Sequence, residues 1–289
     1  MAYELIETLT QFAKIISVAR QAWSGISTWY SRRKLTPQVC RWLDAISAHG
    51  MDRVTAFSFV GVPDVPAIVE TDNTELEKAL TADAMRRTAA LLNIREDWMF
   101  ARDDHAYDTV CLDRDIDTLL RDMEDWKATG DDHALLAFKT GCVELDVDGY
   151  QSGALVFCKR VACSDEHPVY AYRPVCSLHS WHEPKQRSLA LRAVWAAWYL
   201  GFRTRGYVAK ERQCDGLREG TLIAGTLHGG RGVGSWDPDD YVVRPSAEAK
   251  GRDSFPDALF REHADALLDT ARRMGIEVRN YGPFRKMAA

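Results

Sequence analysis

The sequence lacks any run of about 18 apolar residues, so it predicts no helix that spans a membrane. Its N-terminus has two acidic side chains before the first basic one and no continuous apolar stretch, unlike a secretory signal peptide. Its seven cysteines include no C-x-x-C pair, which argues against a zinc ribbon and against a disulfide framework. We therefore expect a cytoplasmic protein with reduced thiols.

An excess of basic charge is also missing, because the net charge is −5. Residues 1–63 carry seven basic and four acidic side chains, residues 64–148 carry nine and 22, and residues 149–289 carry 21 and 16. This distribution excludes a surface that is basic throughout, but it permits local DNA contact near either end of the chain.

The usual motifs of enzyme active sites are absent. There is no G-x-S-x-G sequence, and the glycine-rich residues 229–234 are not followed by a predicted helix, as a phosphate-binding loop requires. His179 and His182 have no further metal ligands at a recognised spacing. A metal-dependent nuclease or nucleotide enzyme that uses residues such as His182 and Asp146 is therefore the last of three hypotheses. We predict no catalytic residue, no metal and no cofactor.

The first thirty residues carry apolar side chains at alternating steps of four and three, the heptad pattern of a coiled coil. The pattern predicts an amphipathic helix over residues 1–30. Such a helix either pairs with a second copy of the chain or packs on its own domain. In a homodimer, the contacts would be made by Leu5, Leu9, Phe12, Ile16 and Trp23.

The rest of the chain predicts an α+β fold in two domains. An all-helical domain spans 37–128, and a mixed domain over 130–289 has a mainly antiparallel sheet with helices on one face. Helices are predicted over 37–49, 53–60, 64–70, 74–80, 82–92, 95–101, 113–128, 185–200 and 256–274. Strands are predicted over 135–138, 153–161, 168–175, 207–210, 221–226 and 276–280. Aromatic side chains such as Tyr170, Tyr172, Trp195, Trp198 and Phe202 predict a core or, alternatively, a small apolar sensor pocket.

Two glycines, Gly50 and Gly61, are eleven residues apart and each follows a predicted helix. The sequence AALLNI (residues 89–94), followed by Trp98, forms a closing helix with its continuation. In these features residues 37–100 resemble the XRE/Cro (lambda-repressor-like) family of helix-turn-helix domains. The segment departs from the family at Phe57, which replaces a small residue, and in residues 63–70, which contain two prolines and two acids.

The resemblance implies a DNA-associated transcriptional regulator with a C-terminal sensor or interaction domain. It implies phosphate contacts from Arg32, Arg33, Lys34, Arg41 and Arg53. It also places Thr55, Asp64 and Val65 at the DNA-facing side of the module. Because residues 63–70 offer no side chain suited to reading a base edge, the alternative is a non-enzymatic component that binds another protein.

Overall fold

The computed structural model of the protein describes residues 35–62, 66–108, 116–141, 151–164, 167–178, 180–228, 235–236, 238 and 269–275. The predicted heptad helix over 1–30 and the predicted last strand over 276–280 lie outside these residues, as does the glycine-rich segment 229–234. None of the described helices combines the length and apolarity needed to cross a membrane.

Short helices make up residues 35–108, which we call the helical module. They are α1 (Pro37–Ala48), α2 (Arg53–Phe59), a 3-10 helix (Ala67–Glu70), α3 (Asn73–Ala79), α4 (Ala82–Leu92) and α5 (Glu96–Met99). The side chains of Asp52, Asp72 and Thr81 accept hydrogen bonds from the free backbone N–H groups that begin α2, α3 and α4. Gly50 and Gly61 both adopt a positive φ of 73°, which suits the two turns expected there.

Within the helix predicted over 64–70, residues 64 and 65 lie outside the described residues, and Ala67–Glu70 form a four-residue 3-10 helix. Pro66 explains the difference, since a proline has no N–H to donate and disfavours helical backbone at the residue before it. Val69 is buried in this short turn, whereas Ile68 is exposed. Residues 66–70 therefore present no long helical face.

The rest of the described chain forms a five-stranded sheet with helices around it. The elements are α6 (Ile116–Lys127), β1 (Asp131–Thr140), β2 (Gly153–Ser164), β3 (His167–Leu178), α7 (Pro184–Tyr199), β4 (Arg203–Ala209), α8 (Glu211–Glu219), α9 (Gly225–His228) and β5 (Ser235–Trp236). The strand order is β3-β2-β1-β4-β5. Only the β1–β4 pair is parallel among these strands, because α7 carries the chain back across the sheet before β4 begins. The predicted α+β class with a mainly antiparallel sheet is confirmed.

Helices cover both faces of this sheet, so the prediction of helices on one face is wrong. Ala134, Leu136 and Phe138 of β1 face one hydrophobic core together with the helical module, α8 and α9; we call this side the first face. Leu135 and Ala137 face a second core with α6 and α7. Every residue from 134 to 138 is buried and apolar, which is the pattern of a strand covered on both faces.

Helix α6 lies before the predicted division at residue 128, and its Leu120 and Met123 pack in the second core on the sheet. The strand predicted over 221–226 is absent from the described residues. There, Gly220 ends α8 with a positive φ of 74°, and Ile223 and Ala224 fill the first core before α9 begins.

The helical module is docked closely on the first face of the sheet. The amide of Asn93 donates to the carbonyl oxygen of Tyr172 at 2.8 Å, and the backbone N–H of Tyr107 donates to the carbonyl oxygen of Gly220 at 3.2 Å. At Gly225 there is no room for a side chain, because a Cβ atom would lie 2.3 Å from the carbonyl oxygen of Ala48. The module and the sheet therefore share one core.

We predict that Gly225→Ala lowers the free energy of unfolding by about 2 kcal/mol, because the added methyl group forces α1 away from α9. Denaturation in urea measures the change. The matched control is Arg212→Ala on the exposed side of α8, which should stay within about 0.5 kcal/mol of the wild type. Equal stability of the two variants would contradict the close packing of α1 on α9.

Candidate functional site

The described arginines that were predicted to contact DNA are engaged within the protein. Arg41 forms an ion pair with Asp104 at 2.5 Å, and its guanidinium lies over the ring of Trp98, 4.7 Å from the ring centre. Arg53 donates to the carbonyl oxygen of Val69 at 2.9 Å and to the side-chain oxygen of Asn73 at 2.8 Å. Nη1 and Nη2 of Arg53 thus bind the 3-10 helix and the start of α3.

Of the remaining residues predicted to contact DNA, Thr55 alone lies within the described part of the chain. The backbone N–H of Thr55 donates to Asp52 in the cap of α2, and the Thr55 side chain is half-buried. Arg32, Arg33, Lys34, Asp64 and Val65 lie outside the described residues, as do the predicted dimer contacts from Leu5 to Trp23. The structure therefore brings together Arg53 and Thr55 at α2 but leaves Arg41 on a different helix, paired with a carboxylate.

Beside Arg53, two large apolar side chains are open to solvent. Val54 is 41% exposed and Ile68 is 53% exposed, and they are the two large exposed hydrophobic residues in the described part of the chain. They belong to α2 and the 3-10 helix, which the hydrogen bonds of Arg53 hold together. We call these two residues and their immediate surroundings the Val54–Ile68 surface.

A second group of side chains lies on the first face of the sheet, at the end of α9. His228 is surrounded by the rings of three tyrosines, with ring centres 5.2 Å away for Tyr170, 5.7 Å for Tyr172 and 5.9 Å for Tyr207. All three pairs meet edge to face. The Tyr172 hydroxyl lies 2.8 Å from Nδ1 of His228. We call these four residues the tyrosine–histidine cluster.

The cluster is neutral at physiological pH. Burial, with a smaller contribution from the charge of Arg205, lowers the pKa of His228 to about 4. Burial also raises the pKa of each of the three phenols, so all three keep their protons. Cys158 is close to them, and burial raises the pKa of its thiol to about 12. A thiol held protonated in this way is a poor nucleophile.

A row of charges borders the cluster at the same end of the sheet. Arg160 makes two hydrogen bonds of 2.7 Å to the carboxylate of Asp131, and Arg203 pairs with Asp132. The hydroxyl of Tyr170 also donates to Asp132, at 2.9 Å. The two carboxylates at the start of β1 are therefore each neutralised by an arginine.

A buried histidine of the helical module contacts the same cluster. The ring of His49 is 5.2 Å from that of Tyr172, and its Nδ1 lies 2.6 Å from the carbonyl oxygen of Ala45. Its Nε2 is buried and has no hydrogen-bond partner within the described structure. Burial lowers the pKa of His49 to about 4. This junction therefore holds two neutral histidines, both in contact with Tyr172.

No family model, curated protein or solved structure matches this chain. Within the described residues no group of three or more His, Cys, Asp or Glu side chains is placed to hold a metal ion. His182 is exposed, and Asp146 lies outside the described residues.

An apolar cavity in the described part of the chain is small, and the five aromatic residues named above for a sensor pocket do not line it. A cavity between the second face of the sheet and α7 is lined by Trp181, Val194 and Trp236 among others, but its volume of about 20 Å³ has room for about one water molecule. A larger, polar cleft of about 390 Å³ lies between the end of α4 and β3, with Asn93, Arg95 and Arg173 in its walls.

The sequence indicated only part of the tyrosine–histidine cluster. Tyr170 and Tyr172 stand out as alternate residues of one predicted strand, so they share a face. Tyr207 lies on another strand, and His228 was expected just after a strand that the described structure does not contain. In the sequence, His228 is marked only by its position directly after an apolar run. Many surface histidines share such a position, so it does not indicate a buried cluster.

We predict that the free energy of unfolding falls as the pH drops from about 6.5 towards about 4. The unfolded chain takes up a proton on His49 at higher pH than the folded chain does, so stability is greatest above pH 6.5. Between these two pH values, protonation of His49 in the unfolded chain lowers the free energy of unfolding by as much as about 1.4 kcal/mol for each pH unit of acidification. His228 lowers it in the same direction.

Urea denaturation between pH 5 and 7 tests this prediction, and His49→Phe should reduce the slope. The control is Met51→Leu, a buried apolar exchange that alters stability without altering its dependence on pH. A slope that is the same in the wild type and in His49→Phe would show that His49 is not held neutral.

Proposed function

We propose that this protein is a non-enzymatic interaction component whose Val54–Ile68 surface binds another protein. One observation carries the proposal. Ile68, in the segment compared with a recognition helix, and Val54, on α2, are exposed apolar side chains, while Arg53 next to Val54 is bound within the fold. Exposed apolar side chains that the fold holds in a fixed position are suited to binding a protein partner.

Charge indicates what kind of partner fits. Residues 64–78 carry five acidic side chains and one basic side chain. Asp52 and Asp72 flank the exposed residues as helix caps, and Glu70 is exposed beside Ile68. An acidic surface repels the phosphates of DNA and attracts lysine and arginine. The partner that fits is therefore a protein segment with apolar side chains flanked by basic ones.

A DNA-associated transcriptional regulator is the second candidate. It is favoured by the succession of α1, α2, a turn at Gly61 with positive φ and a further short helix, which is the order expected of a repressor-like module. Its phosphate contacts would have to come from the basic residues 31–34. Salt-dependent retention of the gene's own upstream DNA in a mobility-shift assay, at micromolar protein, would favour this candidate over the first.

We propose further that the chain forms a homodimer through the heptad pattern of residues 1–30 and that it acts in the reducing cytoplasm. The heptad supports the first statement. The second is supported by two buried thiols in the described part of the chain, those of Cys158 and Cys214, which form no disulfide.

We predict that Ile68→Glu abolishes capture of a stoichiometric protein partner from native lysate, because a charge replaces the exposed apolar contact. The matched control is Ala82→Glu, which adds the same charge at an exposed position on α4. Wild type and control should retain the partner equally. A partner that binds Ile68→Glu as well as it binds the control would overturn the proposed surface.

We predict that the wild type has twice the mass of one chain, 32.6 kDa, in light scattering, and that the double variant Leu9→Glu, Phe12→Glu has the mass of one chain. Two charges in the apolar seam prevent pairing of the helices. The control is Gln21→Glu, which lies outside the seam and should leave the dimer intact. A monomeric wild type would contradict the heptad interpretation.

A further inference from the structure

The N-terminal part of the chain joins the described fold close to the Val54–Ile68 surface. The backbone N–H of Thr36 donates to the carboxylate of Glu77 on α3 at 3.0 Å. The start of α3 is bonded to the surface itself, because the N–H of Asp72 donates to the carbonyl oxygen of Ile68 at 2.8 Å. Helix α3 has seven residues, which makes it about 10 Å long. Residues 1–34 are therefore attached about one short helix away from Ile68.

The residues just before this attachment point have the composition expected of the partner. In the sequence ISTWYSRRK (residues 26–34), the apolar side chains of Ile26, Trp29 and Tyr30 are followed by three basic ones. No acidic side chain occurs from residue 8 to residue 43. Apolar side chains accompanied by positive charge complement an exposed apolar surface with acidic surroundings. The chain therefore carries, next to this surface, a segment of the kind that the surface fits.

One carboxylate beside Ile68 is available to these positive charges. Glu70 is exposed, and no basic side chain among the described residues pairs with it. By contrast, Glu75 on α3 already pairs with Lys78 at 2.6 Å. A basic side chain that reaches Ile68 from the direction of α3 therefore meets a carboxylate whose charge is not yet balanced, which favours the contact.

The connection is long enough for this contact. Tyr30 is six residues before Thr36, and six extended residues span about 20 Å. That is about twice the length of α3, so Tyr30 can reach Ile68 without any change in the described fold. A group held on so short a connection has an effective concentration in the millimolar range. The contact therefore forms even if the two parts would bind only weakly as separate molecules.

We propose that Ile26, Tyr30, Arg32 and Arg33 bind the Val54–Ile68 surface of their own chain, so that an external partner has to displace them. The inference rests on the proposed function in one respect, since it treats this surface as a binding site for apolar and basic side chains. The heptad positions from Leu5 to Trp23 remain available for pairing with a second copy of the chain.

Hydroxyl-radical footprinting of the purified full chain tests the proposal, with the oxidation of Ile68 measured by mass spectrometry of its peptide. In the double variant Arg32→Glu, Arg33→Glu, repulsion from Glu70 should release the segment. Ile68 should then be oxidised at least about threefold faster than in the wild type, as expected when a surface that is covered in most molecules becomes open. The exposed His182 is the internal reference, because its oxidation should not change.

The matched control is Lys14→Glu, Arg20→Glu, which reverses two charges in the same N-terminal part of the chain but outside residues 26–34. Ile68 should be as protected in this control as in the wild type. Equal oxidation of Ile68 in the two double variants would overturn the proposal.

The same measurement on Leu9→Glu, Phe12→Glu, the variant expected to be monomeric, identifies which chain supplies the segment. Protection of Ile68 that persists in this variant comes from the same chain and supports the proposal. Protection that is lost comes from a second copy and overturns it. A native lysate that yields no partner would contradict the proposed function but would leave each of these footprinting results unchanged, because they are obtained with the purified chain.

Discussion

The contact between the helical module and the sheet depends on Tyr172. Its carbonyl oxygen accepts from Asn93 at the end of α4, its ring packs against His49 at the end of α1, and its hydroxyl bonds to His228 at the end of α9. One buried residue therefore connects three helix ends to a strand. Burial of so many polar groups is tolerable only because each finds a partner or stays neutral.

The same principle explains the behaviour of Arg53. A guanidinium that bonds to a backbone carbonyl and to a side-chain amide cannot also bind a phosphate with those donors. Arg53 holds α2 against the 3-10 helix, and so it fixes the spacing between the exposed side chains of these two helices. The resemblance of residues 37–100 to repressor-like domains stays a prediction, whereas the use of Arg53 as an internal brace is a feature of the structure.

Much of the fold follows from local sequence. Asp72 and Thr81 mark the starts of their helices because their oxygen atoms satisfy free N–H groups. The apolar run at 134–138 predicts a strand as well, but the prediction of helices on one face missed that this strand is covered on both. The site was harder to predict, because its members come from β3, β4 and α9 and meet only through the sheet order. No local pattern places Tyr207 beside His228, and Pro66 shortens a helix that periodicity alone extends.

The core shared by the helical module and the first face of the sheet has a consequence for how this protein can change over evolutionary time. Domains of one chain are commonly joined by exposed linkers that few contacts cross, which lets them be exchanged as units. Here Leu136, Phe138 and Val156 of the sheet are covered partly by residues of the module. Neither part could be recombined with a foreign sequence without exposing that apolar surface, so the two must be inherited together and must acquire substitutions in step.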